Sequence, residues 1–141
     1  MDTGLAAHLL GTSPTRLAEP TSVATGPLME TFVVNEIVRQ ASFLQDTEGL
    51  TLFHYRAHTG SEVDVIAEAD DGRVVGIEVK AGATVHGRDF SHLEAVRDRV
   101  DHLRDLRFLR GIVLYTGASR LSFGDRLDAA PISSLWTAGG S

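Results

Sequence analysis

The chain has 141 residues, 43% hydrophobic and 23% charged, with a formal net charge of −6 and no cysteine. That composition suits one globular domain burying roughly two-thirds of its unfolded surface, and it excludes disulfides and thiolate metal sites. The acidic balance counts against strong autonomous binding to nucleic acid, and no apolar run approaches the roughly 20 residues of a membrane span. The N-terminus has no basic stretch ahead of an apolar one, so no secretory signal is expected and the chain reads as cytoplasmic, without a membrane partner.

Residues 1–10 read as a short apolar helix, with Leu5, Ala6, Leu9 and Leu10 on one face and Asp2 or Thr3 as its cap. Residues 11–26 are rich in Pro, Thr and Ser and read as a connector, so the domain proper is expected over residues 27–141. Pro27 opens a helix whose apolar stripe, Leu28, Phe32, Val33 and Ile37, ends near Phe43 and Leu44. Glu30, Asn35, Glu36, Arg39 and Gln40 are its polar positions, and by composition alone Glu36 is a solvated helix residue.

After a polar turn, residues 52–58 read as an aromatic-rich strand with Leu52, His54, Arg56 and His58 on one face. Histidines four apart on a strand are about 13 Å apart, too far to share one metal ion. Arg56 is a candidate for a phosphate or a carboxylate partner.

The stretch from Glu62 to Lys80 carries the chemistry. It alternates as E-V-D-V-I-A-E, turns at Asp70-Asp71-Gly72, and alternates again as V-V-G-I-E-V-K. This predicts a hairpin with Glu62, Asp64 and Ile66 on one side, Val63 and Val65 on the other, and Asp64, Glu78 and Lys80 on one face of one sheet. Two carboxylates and an ammonium on neighbouring strands suit a divalent cation, with the lysine beside the attacking water. The competing reading is a solvated strand face with a Glu–Lys pair.

Beyond Lys80, residues 81–88 form a small-residue loop and not a phosphate loop, since G-x-x-x-x-G-K-[ST] occurs nowhere. Asp89 or Ser91 caps a second helix, whose stripe runs through Phe90, Leu93, Val96, Val100, Leu103 and Leu106. Its charged face reads as solvated, with Arg97, Arg104 and Arg107 as an alternative phosphate-tracking edge. Residues 108–116 suit a strand buried on both faces, Leu127–Ala130 one more short strand, and Pro131–Trp136 a closing helical turn.

The element order is thus α-β-β-β-α-β, an α/β fold. Asp64 followed after thirteen residues by E-V-K resembles the PD-(D/E)XK nuclease signature, with Val63 where that signature has proline. Further stretches are D-T-G-L-A-A-H-L-L-G, L-M-E-T-F-V-V-N-E-I, F-H-Y-R, G-S-E-V-D-V-I, G-I-E-V-K-A, G-I-V-L-Y-T-G, F-G-D-R-L and A-P-I-S-S-L-W. Together they resemble the C-terminal domain of unknown function appended to bacterial and archaeal AAA-type ATPases. The resemblance implies a restriction-endonuclease-like core, a mixed central sheet flanked by helices. It places Glu36, Asp64, Glu78 and Lys80 at the catalytic positions. Asp64 and Glu78 would hold Mg²⁺ or Mn²⁺, with Glu36 as a further metal-site carboxylate.

It implies DNA or another nucleic acid as substrate, with Arg56 as a contact, and an upstream ATPase module that this chain lacks, as in an excised domain or truncated product. Self-association into a homo-oligomer is left open. The rival expectations are a catalytically inactive nucleic-acid-binding or regulatory module of the ATPase, and a purely structural domain.

Overall fold

The hairpin predicted around Asp70-Asp71-Gly72 is the middle of the sheet. In the computed structural model the described residues are 15–16, 28–57 and 60–136. They form β1 (Thr15–Arg16), α1 (Leu28–Glu48), β2 (Leu50–Arg56), β3 (Glu62–Ala69), β4 (Arg73–Val79), a 3₁₀ turn (Gly87–Phe90), α2 (Ser91–Asp101), β5 (Arg107–Tyr115), β6 (Leu121–Ser122), β7 (Leu127–Pro131) and a closing 3₁₀ helix (Ile132–Trp136). The expected order α-β-β-β-α-β is present.

The sheet runs β1-β2-β3-β4-β5-β7-β6. β1 to β4 form an antiparallel meander, and α2 then carries the chain across to β5, parallel to β4. β7 adds parallel to β5 and β6 antiparallel to β7, so the sheet is mixed. α2 covers one face, where Phe90, Leu93, Val96 and Val100 meet Val63, Ile66, Val74 and Phe108. α1 covers the other, where Val33 and Ile37 meet Val65, Val79, Leu114 and Ala130. Apolar burial on both faces is what holds the two helices to the sheet. No helix among the described residues is long and apolar enough to cross a membrane.

Four expectations are corrected. Val63 and Val65 do not share a face: they lie in opposite cores. The pairing shows why. Tyr55 sits opposite Val63 and Phe53 opposite Ile66, so β3 takes three steps against two in β2. That extra residue is a bulge, and it breaks the period-two pattern at Asp64 and Val65. Secondly, α2 stops at Asp101, although Leu103 and Leu106 continue the stripe. The His102 and Leu103 N–H groups bond back three residues, to Arg99 and Val100, and close the helix. Both leucines still pack on the core from the following turn. Thirdly, Thr15–Arg16, expected in a connector, pairs with His54 and Phe53. The rest of the expected N-terminal helix and connector lies outside the described residues. Fourthly, β5 is not buried along its whole length: Leu109 and Arg110, beside a register shift against β4, are exposed.

Gly72 closes the hairpin with φ at +96°, and a Cβ there would lie 2.3 Å from the Asp105 carbonyl oxygen. Its own carbonyl accepts the Arg107 N–H at 2.8 Å, fastening the hairpin to the start of β5. Gly60 has a similar φ, +97°, with open space around it. Gly72→Ala should therefore cost about 3 kcal/mol, strain plus backbone collision. Gly60→Ala should cost about 1 kcal/mol, strain alone. Urea unfolding of the two variants measures the difference.

Candidate functional site

The ladder between β3 and β4 ends at Val65 opposite Ile77. Past that point the backbone groups of both strands need other partners. The Asp64 carboxylate accepts the Val79 N–H at 2.8 Å, taking the place of a strand. On the other side, His92 Nδ1 lies 2.8 Å from the Glu62 carbonyl oxygen and His54 Nδ1 lies 3.3 Å from that of Asp64. A carbonyl only accepts, so the Nδ1 of His92 carries the proton. The bulge thus draws an acidic side chain inward, within the field of His54.

Glu78 follows on β4. It lies on the α2 side, its Oε2 3.6 Å from His92 Nδ1. From the α1 side comes Glu30, in the first turn of that helix, whose carboxylate accepts the Ala81 N–H and feels the charge of Asp64. Carboxylates from three elements therefore repel one another near the end of β4. Burial, above all, pushes the Glu78 carboxyl up to about 8, and Asp64, Asp89, Glu30 and Glu62 add repulsion. Burial also raises Asp64, against the Val79 N–H and His54, which favour its ionised form. Glu30 is raised by burial and by Asp64, against the Ala81 N–H.

Lys80 is adjacent but engaged: its Nζ lies 2.7 Å from Asp89 Oδ2. That same oxygen accepts the His86 N–H at 2.7 Å. Burial pushes the Asp89 carboxyl up, but the Lys80 and His86 hydrogen bonds outweigh it and hold it below its ordinary value. Arg56 is exposed and pairs with Glu62 at 2.9 Å.

Of the four residues expected at one site, Asp64 repels the Glu78 carboxylate, and Lys80, just past β4, is in an ion pair with Asp89. Glu36 is held elsewhere. Its Oε1 accepts from Arg39 Nε at 3.1 Å and its Oε2 from Gln40 at 2.8 Å, and Gln40 also donates to the Leu135 carbonyl. It lies six residues beyond Glu30, about 9 Å further along the helix and on another side of it. The helix carboxylate that acts on Asp64 and Glu78 is Glu30. Sequence reasoning passed over Glu30 as one polar helix position among several, and read Asp89 as a helix cap. Only Glu30's place in the first turn marked it, since that end of α1 meets the end of β4.

Among the described residues, no three histidine or acidic side chains stand ready to hold a metal ion. The donor chemistry nevertheless fits a hard divalent cation. Glu30, Asp64 and Glu78 offer only oxygens, and their mutual repulsion is what a cation relieves.

The raised Glu78 has a consequence for stability. The unfolded chain loses this proton near its ordinary value of 4.5, the folded chain only near 8. Between those values the folded state binds more protons, so stability falls as pH rises. Melting temperature should drop from about pH 5 to about pH 8, and Glu78→Gln should make the drop smaller. Thermal unfolding across that range, without divalent ions, checks the prediction.

No curated protein and no solved structure matches the chain. A family model for a domain of unknown function, DUF4143, matches residues 25–135. That span takes in both helices, β2 to β7, and all the acidic residues of the site. The chain belongs to the DUF4143 family of domains of unknown function.

Proposed function

We propose that this domain is a nuclease-like module, the C-terminal part of an AAA-type ATPase in the cytoplasm, that hydrolyses phosphodiester bonds of nucleic acid with Mg²⁺ or Mn²⁺. The observation that supports the reading is the mutual repulsion of Glu30, Asp64 and Glu78, carried on three elements, with Lys80 next along the chain after β4. The element order and the spacing of Asp64, Glu78 and Lys80 support it by their resemblance to restriction-endonuclease-like cores.

Asp64 and Glu78 would hold the cation, with Glu30, in place of Glu36, as the third carboxylate. A divalent cation in such a site supplies Lewis acidity toward a phosphoryl oxygen and an activated water. Lys80 would orient that water and offset charge building on the scissile phosphate. Arg56, exposed at the end of β2, would be a candidate to steady a neighbouring phosphate.

The second reading is an inactive, regulatory or nucleic-acid-binding module of the same ATPase. It is favoured by Lys80 being neutralised by Asp89 and by the formal net charge of −6.

Nicking of supercoiled plasmid with Mn²⁺ or Mg²⁺ tests the first reading. Lys80→Ala and Glu30→Ala should each lose at least about 100-fold, whereas Glu36→Ala should stay within about threefold of wild type. Failure of clean protein to cut any form of DNA or RNA would leave the second reading. A loss in Glu36→Ala equal to that in Glu30→Ala would undo the assignment of the helix carboxylate.

A further inference from the structure

Lys80 follows two residues after Glu78, on the same side of the chain, with the two Cα atoms about 7 Å apart. With four methylenes, its ammonium reaches the Glu78 carboxylate easily. An ammonium beside a group of repelling carboxylates should settle on them, and there it would occupy the place of a divalent cation. It does not: the Lys80 Nζ is on Asp89 Oδ2, at 2.7 Å.

Asp89 is well placed to compete. Its Oδ2 is fixed by the His86 N–H, and its own N–H donates to the His86 carbonyl at 2.9 Å. The next residue, Phe90, is fully buried and stacks on Phe123 with ring centroids 4.8 Å apart. The carboxylate thus sits on a turn pinned to the core, whereas the lysine stem is free to follow it. Both partners are less than one-third exposed, so the pair is only partly screened by water.

We infer that Asp89 is a positioning residue that withdraws the Lys80 ammonium from Glu78 and Asp64, keeping the acidic cluster open to a divalent cation. This rests on the reading of that cluster as a cation site. The two acidic groups have separate tasks: Glu78 and Asp64 receive the cation, and Asp89 keeps the internal cation away until a phosphate arrives to compete for it. Asp89 touches no reacting atom and acts only through Lys80.

The test uses Asp89→Asn in the full chain, since an amide oxygen still accepts the His86 N–H and preserves the turn. Its first readout is independent of metal and of cleavage. Crystal structures without divalent ions should place the Lys80 Nζ within about 4 Å of Glu78 or Asp64 in the variant. An ammonium that stays at residue 89 or points into solvent overturns the inference.

The second readout is Mn²⁺ affinity from water proton relaxation. Asp89→Asn should bind about tenfold more weakly, and adding Lys80→Met should recover that loss. Lys80→Met should gain more in the Asp89→Asn background than in wild type, because only there does the ammonium sit on the cluster. Equal gains in both backgrounds show charges acting independently and overturn the inference. If wild type binds no Mn²⁺, the cation reading fails, whereas the position of the ammonium still decides the role of Asp89.

Discussion

A strand ladder that stops short, with a carboxylate completing it, is the constraint behind the rest of this site. β3 and β4 part after Val65 and Ile77, and the Asp64 side chain takes up the Val79 N–H that the ladder leaves unpaired. Leaving a buried N–H unpaired costs about 1–3 kcal/mol, so the fold itself holds the acid in place. The bulge at Asp64 makes this geometry available by shifting one residue of β3 out of register. Asp64 therefore has a structural role whatever its chemistry, through its hydrogen bond to the Val79 N–H.

The electrostatics follow from that inward turn. Asp64 and Glu78 lie partly out of water, Glu30 arrives from α1, and Glu62 flanks them on β3. Lys80 and Arg56 are both engaged in ion pairs, Lys80 with Asp89 and Arg56 with Glu62. Protonation of Glu78 is one way for the cluster to shed charge, and binding of a divalent cation is the other. On the proposed reading, a divalent cation would displace that proton.

Much of the fold was legible in the sequence. Alternation around Asp70-Asp71-Gly72 located the hairpin, helical spacing located α1 and α2, and the E-V-K run put Glu78 and Lys80 at the end of a strand. The bulge was not legible, because one extra residue leaves composition and propensity untouched yet moves Val63 and Val65 to opposite faces. The choice between Glu30 and Glu36 was hidden for a different reason. Both are polar positions on one helix, and only the docking of the first turn of α1 against the end of β4 decides which meets Glu78. Leu103 and Leu106 were misassigned to a helix because burial sets the apolar spacing even where the backbone has turned away.

On the proposed reading, the acidic residues at one end of the sheet would differ by task. Ligands would come from β3, β4 and α1, with the lysine held by the turn before α2. Glu36, for all its place in the family-like wording of the first helix, belongs to the packing of α1 on the closing 3₁₀ helix. The most direct measurement is anomalous diffraction from crystals of the full chain soaked in Mn²⁺. The account predicts a peak bridged by the carboxylates of Asp64 and Glu78, with Glu30 turned toward it. A site empty under saturating Mn²⁺, or a peak on other residues only, would contradict it.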